Sequence, residues 1–350
     1  MPIGSRRQAG PSGSVLARGA AVALDAALEL TVVGSFSSIG FGARRAAWRA
    51  AGRWEPPARL DGRVAVVTGG TSGVGLAIAC GLAAAGARVH VVGRDRARAD
   101  GAVRDVERAG DGRRAERSLA DLADPQAVRR LAAELSAGDG GVDVLVHAAG
   151  TLLRRYTTGP DGTEATVAVH VLAPFLLTES LRPSLLTAAA NGEPRVVTVT
   201  SGGMYTQRFD LARLQTGPEG YDGVVAYARA KRAQVVLTEA WAKRLGPAGI
   251  ACHAMHPGWA DTPGLRQGLP RFARLVGPIL RTPQQGADTA VWLAGTPCAD
   301  HGGRLWHDRR QRSPYHLPWT RVAASTRQTD ASALLRWCET RPGWAPAPPR

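Results

Sequence analysis

The stretch "VVTGGTSGVG" (66–75) decides how the rest of the chain is read. A short β-branched run, 63–68, enters a turn with glycine at 69, 73 and 75, and helix-forming residues follow. Such a strand, tight turn and helix let backbone N–H groups approach a pyrophosphate, while the helix dipole points its positive end at the anion. A glycine triplet alone is a weak signal, and its setting inside a β-α-β unit is what gives it weight. Gly69, Thr71, Ser72, Gly73, Val74 and Gly75 are therefore the candidate phosphate cradle.

The same alternation continues outward. Apolar runs predict strands at 63–68, 87–93, 113–119, 142–150, 194–201, 250–258 and 303–307. Helical patterns fall between them, at 73–85, 96–109, 124–137, about 161–190, 224–245 and about 283–294. Near-continuous apolar strands joined by helical crossovers imply a parallel sheet covered on both faces. The expectation is an α/β fold, a doubly wound (Rossmann) parallel seven-stranded sheet at 60–310, with the ligand at the carboxyl ends of the strands. Residues 1–59 read as an N-terminal extension and 311–350 as a C-terminal tail.

In the extension, Gly, Ser, Pro and Arg make 1–14 an expected disordered start. From Val15 to Val33 an amphipathic helix is expected, with Leu24, Leu28 and Val32 on one face and Asp25 and Glu29 beside it. Next, Arg44, Arg45, Arg49 and Arg53 are interleaved with Trp48 and Trp54. That mixture suits a peripheral membrane contact through 15–54, and equally an arm that packs on its own domain or on a second subunit in a homo-oligomer.

With 44 Lys plus Arg against 29 Asp plus Glu, the net charge is +15. The arginines are spread along the chain rather than gathered on one face, so solvated surface is expected and no nucleic-acid site. Cys80, Cys252, Cys298 and Cys338 form no C-x-x-C pair, which argues against a disulfide framework and a metal site. Lacking a long uncharged apolar run or a secretory h-region, the sequence is expected to be cytoplasmic, or peripheral at a membrane.

Lysine is almost absent from this arginine-rich chain, and one of its two copies, Lys231, stands four residues after Tyr227 in a predicted helix. At that spacing both side chains leave one face. With an ordinary pKa of about 10, tyrosine is a poor base at neutral pH. A neighbouring ammonium favours the phenolate, and arginine cannot replace it because its fork is rigid and never gives up a proton. Five tyrosines and two lysines would produce a Tyr-x-x-x-Lys match by chance about 3 times in 100.

The Gly-x-x-x-Gly-x-Gly spacing, together with Tyr227 and Lys231, resembles the short-chain dehydrogenase/reductases. "HPGWADTPG" (256–264), "SGGMY" (201–205), "FLLTESLRP" (175–183) and "GADTAVWLA" (286–294) resemble one orphan branch, family member 12 and its bacterial relatives. The resemblance covers about residues 60–318. It implies an NAD(P)-dependent oxidoreductase interconverting a carbonyl and an alcohol, a small molecule. Tyr227 would be the acid/base, Lys231 its electrostatic partner and holder of the nicotinamide ribose, and Ser201 the hydrogen-bond donor to the substrate oxygen. Thr200 competes with Ser201 for that role. The resemblance further assigns Asp121 and Leu122 to the adenine, Ala149 and Gly150 to the nucleoside, and Pro257, Gly258 and Thr262 to the carboxamide.

At the end of the second strand, Gly93 stands where an NAD enzyme carries a carboxylate, and Arg94 follows it. A guanidinium suits a 2′-phosphate, so NADP(H) is favoured over NAD(H), with Asp95 the competing signal. The family's Asn-Asn-Ala-Gly is here His147-Ala148-Ala149-Gly150, and His170 replaces a helix asparagine. His170 reads either as part of a modified proton relay or as a histidine that fills the site. These departures also leave open a cofactor-bound module without turnover. An inserted loop with Tyr205, Phe209 and Leu214 is expected at the substrate mouth. The segment 259–283 reads as a lid whose Leu265, Leu269, Phe272, Leu275 and Ile279 suit a hydrophobic substrate, unless they are buried against the tail.

Overall fold

All five residues of β1 (Val64–Thr68) are buried, because helices cover both faces of the sheet they belong to. The structure is a computed structural model and describes residues 11–138, 141–297 and 302–346. Residues 1–10 and Cys298, on which two expectations fell, lie outside the described residues.

Three helices, α1 (Pro11–Glu29), α2 (Val32–Phe36) and α3 (Ser38–Ala50), precede β1. Then come α4 (Gly73–Ala84), β2 (Arg88–Gly93), α5 (Arg96–Ala109), β3 (Glu116–Leu119), α6 (Pro125–Ser136) and β4 (Val144–His147). A helical stretch follows as α7 (Ala165–Val167), a π turn (Ala168–Leu172), α8 (Ala173–Ser180) and α9 (Arg182–Ala189). Next are β5 (Arg195–Val199), α10 (Gly223–Leu245), β6 (Ala251–Met255), α11 (Pro263–Gly268), α12 (Pro270–Val276) and α13 (Pro283–Gly295). The chain closes with β7 (Gly302–His307), β8 (Arg310–Arg312) and α14 (Ala324–Glu339).

The strand order is β3-β2-β1-β4-β5-β6-β7-β8, parallel except for the last pair. Alternate residues of the central strands feed two cores. Val66, Leu145 and Val196 pack with α6, α8, α10 and α14, while Val67, Val146 and Val197 pack with α4, α5 and α13. The order reverses between β1 and β4, which opens a crevice at the carboxyl ends.

The sheet has eight strands rather than seven. β8 is a short polar strand, "RQR", without an apolar signature, and it pairs with β7 through a turn in which Asp308 and Arg309 both have positive φ, 50° and 59°. That geometry normally selects glycine or asparagine. Here ion pairs hold it, since Asp308 meets Arg281 and Arg44, and Arg309 meets Asp288. The predicted helix at 161–190 is broken instead. Pro174 and Pro183 cannot donate to the carbonyls of His170 and Glu179, and the π turn and the α8–α9 break fall at those places. The boundary at 310 cuts the hairpin, and the tail is part of the domain: Leu334, Cys338 and Trp344 are buried in the main core.

The extension departs most from expectation. α1 begins at Pro11 and ends at Glu29, and it turns Ala21 and Asp25 inward, while its Leu24 and the Val32 that opens α2 face solvent. The cause is Arg44, fully buried, whose guanidinium bonds Asp25 at 2.6 Å, Glu29 at 2.7 Å and Asp308 at 2.9 Å. Trp48 and Trp54 are also buried, under Arg310 and Arg309 respectively, so they offer nothing to a membrane.

Asp308→Ala is expected to cost about 3–5 kcal/mol in chemical denaturation, because two buried guanidiniums lose their shared carboxylate. For Glu29, burial raises the pKa but the His316 hydrogen bond and the Arg312 charge outweigh it, lowering the group from 4.5 to about 2. Its stabilisation is therefore complete above pH 4.5 and lost as pH falls through 2. Glu29→Gln should flatten that acid limb in thermal melts, and an unchanged limb would contradict the assignment.

Candidate active site

The turn between β1 and α4 is shaped by contacts that only glycine permits. Gly69 has φ 67°, and a Cβ there would lie 2.5 Å from Cα of Ala149 in the loop after β4. A Cβ on Gly75 would fall onto the carbonyl oxygen of Gly69, so the helix packs directly on the strand. Ser72 is the N-cap of α4, yet its side chain makes no capping bond, which leaves the first-turn N–H groups open to an anion. Thr71, Gly73 and Val74 complete the turn, and Thr262, capping α11 from the loop after β6, packs over Gly73. This cradle fits a dinucleotide pyrophosphate.

At the end of β2 a Cβ on Gly93 would run into Cγ2 of Thr71. Asp95 is spent as the N-cap of α5, its Oδ1 accepting from the N–H of Arg98 at 2.8 Å. Arg94 between them is exposed. Next door, Asp121 accepts from the N–H of Ala123 at 2.9 Å, and Leu122 is buried in the main core.

The helix α10 starts at an Asp222 cap and carries Tyr227 and Lys231 on the face toward β5. Lys231 is 3% exposed and donates to the carbonyl of Val199 at 2.9 Å. Its Nζ lies 5.5 Å from the Tyr227 ring centre. Burial lowers this lysine to about 7. Burial likewise raises Tyr227, and the Ser201 hydroxyl beside it pulls in the opposite direction. The competing Thr200 is buried, and its hydroxyl donates to the Lys231 carbonyl at 2.7 Å. Tyrosine, lysine and serine thus meet at the carboxyl end of β5, within the crevice.

His170 sits on the π turn against the edge of the Tyr227 ring, 5.4 Å between centres. Its Nε2 accepts from the N–H of Thr151 at 3.2 Å, so Nδ1 carries the proton and donates to the Thr166 carbonyl at 2.8 Å. Burial and the nearby Lys231 charge lower its pKa to about 3, and the ring is neutral. Both nitrogens are engaged, which ties the Gly150–Thr151 loop to the helix. His147 points away into the core, bonded to Thr178 at 2.8 Å and stacked on Trp241.

Sequence reasoning missed the wall opposite. Phe36 of α2 packs edge-on against His256 and Trp259 and beside Tyr205. Its ring would meet a Cβ on Gly202, next to Ser201, at 2.6 Å. Arg281 donates to the carbonyls of Ser35, Phe36 and Pro257, fixing the arm to the Pro257-Gly258 loop, and Asp308 holds Arg281 at 2.6 Å. No sequence signal placed Phe36 in this wall, since Arg281, which binds its carbonyl, lies 245 positions away. Of the three loop residues expected at the substrate mouth, Tyr205 alone reaches this region, where it packs with Phe36 and Met204. Leu214 and Phe209 belong to the main core. In the lid Phe272 packs on Trp259, and Gly268 lies against Leu152.

The sequence profile described as short chain dehydrogenase matches residues 63–269. Dehydrogenase/reductase SDR family member 12 of Homo sapiens is 39% identical over 269 residues, 76% of this chain and 83% of that one. Retinol dehydrogenase 11 of Mus musculus is 33% identical over 68% of this chain and 75% of its own. Among solved structures, the Pseudomonas aeruginosa RhlG/NADP complex matches with a TM-score of 0.58 and 28% identity, covering 72% of this chain and 96% of that one. The L-sorbose reductase of Gluconobacter frateurii, complexed with NADPH and L-sorbose, matches at 0.58 and 25%, covering 71% and 95%. The chain belongs to the short-chain dehydrogenase family and is an NAD(P)-dependent oxidoreductase acting on carbonyl and CH–OH groups.

The buried lysine exacts a stability cost, which Lys231→Met should reveal. Below pH 7 the folded and unfolded chains both hold the proton, and between 7 and 10.5 the unfolded chain holds more, so stability rises with pH across that window. The variant should lose turnover yet gain about 1–2 kcal/mol at pH 6, with the gain shrinking toward pH 10. Equal or lower stability at pH 6 would contradict the lysine's burial as its governing influence.

Proposed function

We propose that this short-chain dehydrogenase uses NADP(H) and reduces a hydrophobic aldehyde or ketone, or oxidises the matching alcohol. The end of β2 carries the cofactor preference. With no room for a side chain at Gly93 and Asp95 spent on capping, exposed Arg94 is the group left to meet a ribose 2′-phosphate. When bound, the reduced nicotinamide supplies a hydride to the carbonyl carbon.

The side chains handle the oxygen. Ser201 donates a hydrogen bond to it as negative charge develops, and Tyr227 gives it a proton. The Lys231 ammonium, held by the Val199 carbonyl, stabilises the phenolate that results. Thr262, Pro257 and Gly258 hold the carboxamide, with Ala149 and Gly150 under the nucleoside and Asp121 and Leu122 beside the adenine. His170 acts as a positioning residue, keeping the Gly150–Thr151 loop against the Tyr227 helix rather than passing protons. The lid's partly exposed Leu265, Leu269 and Ile279, with Trp259 and Leu152 beneath, favour an apolar substrate. A relative named for retinol is consistent with that class.

Arg94→Ala should weaken NADPH binding about 10- to 100-fold, by loss of a charge-assisted contact, and leave NADH binding within about twofold. Parallel losses for both cofactors would overturn the preference. His170→Ala should lower kcat about tenfold with the shape of the pH profile retained, and His170→Asn should recover most of it. Loss of one limb of the profile in His170→Ala would instead make the ring a proton carrier.

A further inference from the structure

The first helix of the N-terminal arm turns its acids inward and leaves several apolar side chains exposed. On α1 the two acids face the ion-pair network with Arg44 and Arg312, while Leu16 and Val22, and Leu30 just after the helix, face solvent, Leu30 being 87% exposed. Val33 of α2 and Ile39 of α3 extend that surface. Ser38 donates to the Ile279 carbonyl at 3.2 Å, which sets this corner beside the lid, whose Leu275 is 82% exposed. A helix in water normally presents the opposite face. Single exposed apolar residues mean little, but here they recur on three helices that pack on one another and on the lid that Ser38 joins to them.

Charge indicates what the surface meets. Between residues 15 and 54 the exposed charged side chains are all arginine, Arg18, Arg45, Arg49 and Arg53, because both acids are turned inward. The lid adds Arg271 and Arg274 and has no acid between 263 and 280. Among the described residues no helix is long and apolar enough to cross a membrane.

We propose that this face docks on an anionic lipid surface, with the apolar residues of α1 and α2 entering the headgroup boundary and the arginines meeting lipid phosphates. A second copy is the poorer occupant, because pairing two such faces would oppose two arginine rims. Docking would turn the lid and the substrate mouth toward the bilayer. The inference does not rest on turnover, and its test reads binding alone.

The test is co-sedimentation of the full chain with phosphatidylcholine vesicles, with and without phosphatidylglycerol, beside the variant Val22→Ser/Leu30→Ser/Val33→Ser. The three positions are exposed, and unchanged circular dichroism and melting would confirm an intact fold. The wild type should sediment with the anionic vesicles, less so at high salt, and the triple variant should bind about tenfold more weakly or worse. Arg45→Gln/Arg49→Gln should weaken binding in the same direction. A wild type that stays in the supernatant overturns the proposal. So does a triple variant that binds equally well, since the net charge alone would then suffice. A dimer in sedimentation velocity that the triple variant dissolves, without vesicle binding, would assign the face to a second copy instead.

Discussion

The carboxylate of Asp308 lies between the guanidiniums of Arg281 and Arg44, 2.6 and 2.9 Å away, and all three side chains are buried. Charges so placed cost several kcal/mol each to desolvate, and they persist only where the remaining donors and acceptors are met. They are met here by the carbonyls of Ser35, Phe36, Ser37 and Pro257 and by Asp25 and Glu29. One ionic knot therefore joins the β7–β8 hairpin, the N-terminal arm and the loop after β6. Because that loop holds the candidate carboxamide contacts and Phe36 stands beside Gly202, the arm is part of the site's architecture rather than an appendage.

Within the site the same logic of burial operates on a single charge. Lys231 is held in a place where its ammonium is disfavoured, and its hydrogen bond to Val199 orients it toward Tyr227. A guanidinium would be larger, always charged and differently directed. That explains why lysine stands here in a chain that otherwise prefers arginine. Thr200 and His170 both spend their polar atoms on internal bonds, leaving Ser201 as the hydroxyl beside Tyr227.

Much of this was legible in the sequence because it is local. The Gly69/Gly73/Gly75 turn, the strands around it and the Tyr227–Lys231 spacing are set by neighbours a few residues apart, and the structure brings them to one crevice. What was not legible depends on distant partners. α1 was read as an amphipathic helix with Leu24, Leu28 and Val32 on one face, but which face turns inward is set by the distant, buried Arg44, which claims Asp25 and Glu29. β8 is polar and held by ion pairs at its turn, so no hydrophobic alternation marks it. Phe209 and Leu214 look like mouth residues by position, yet α14, whose register only the fold reveals, gives them a core to join.

The reaction assigned to Tyr227, Ser201 and Lys231 requires hydride to leave the cofactor for carbon and a proton to leave the tyrosine for oxygen. NADPH carrying deuterium at nicotinamide C4, incubated with medium-chain ketones and aldehydes, tests this directly by mass spectrometry of the alcohol formed. The account predicts one deuterium on the new carbinol carbon with the wild-type chain and a loss of about a thousandfold or more in rate with Tyr227→Phe. Deuterium transfer at an undiminished rate in Tyr227→Phe would contradict the account.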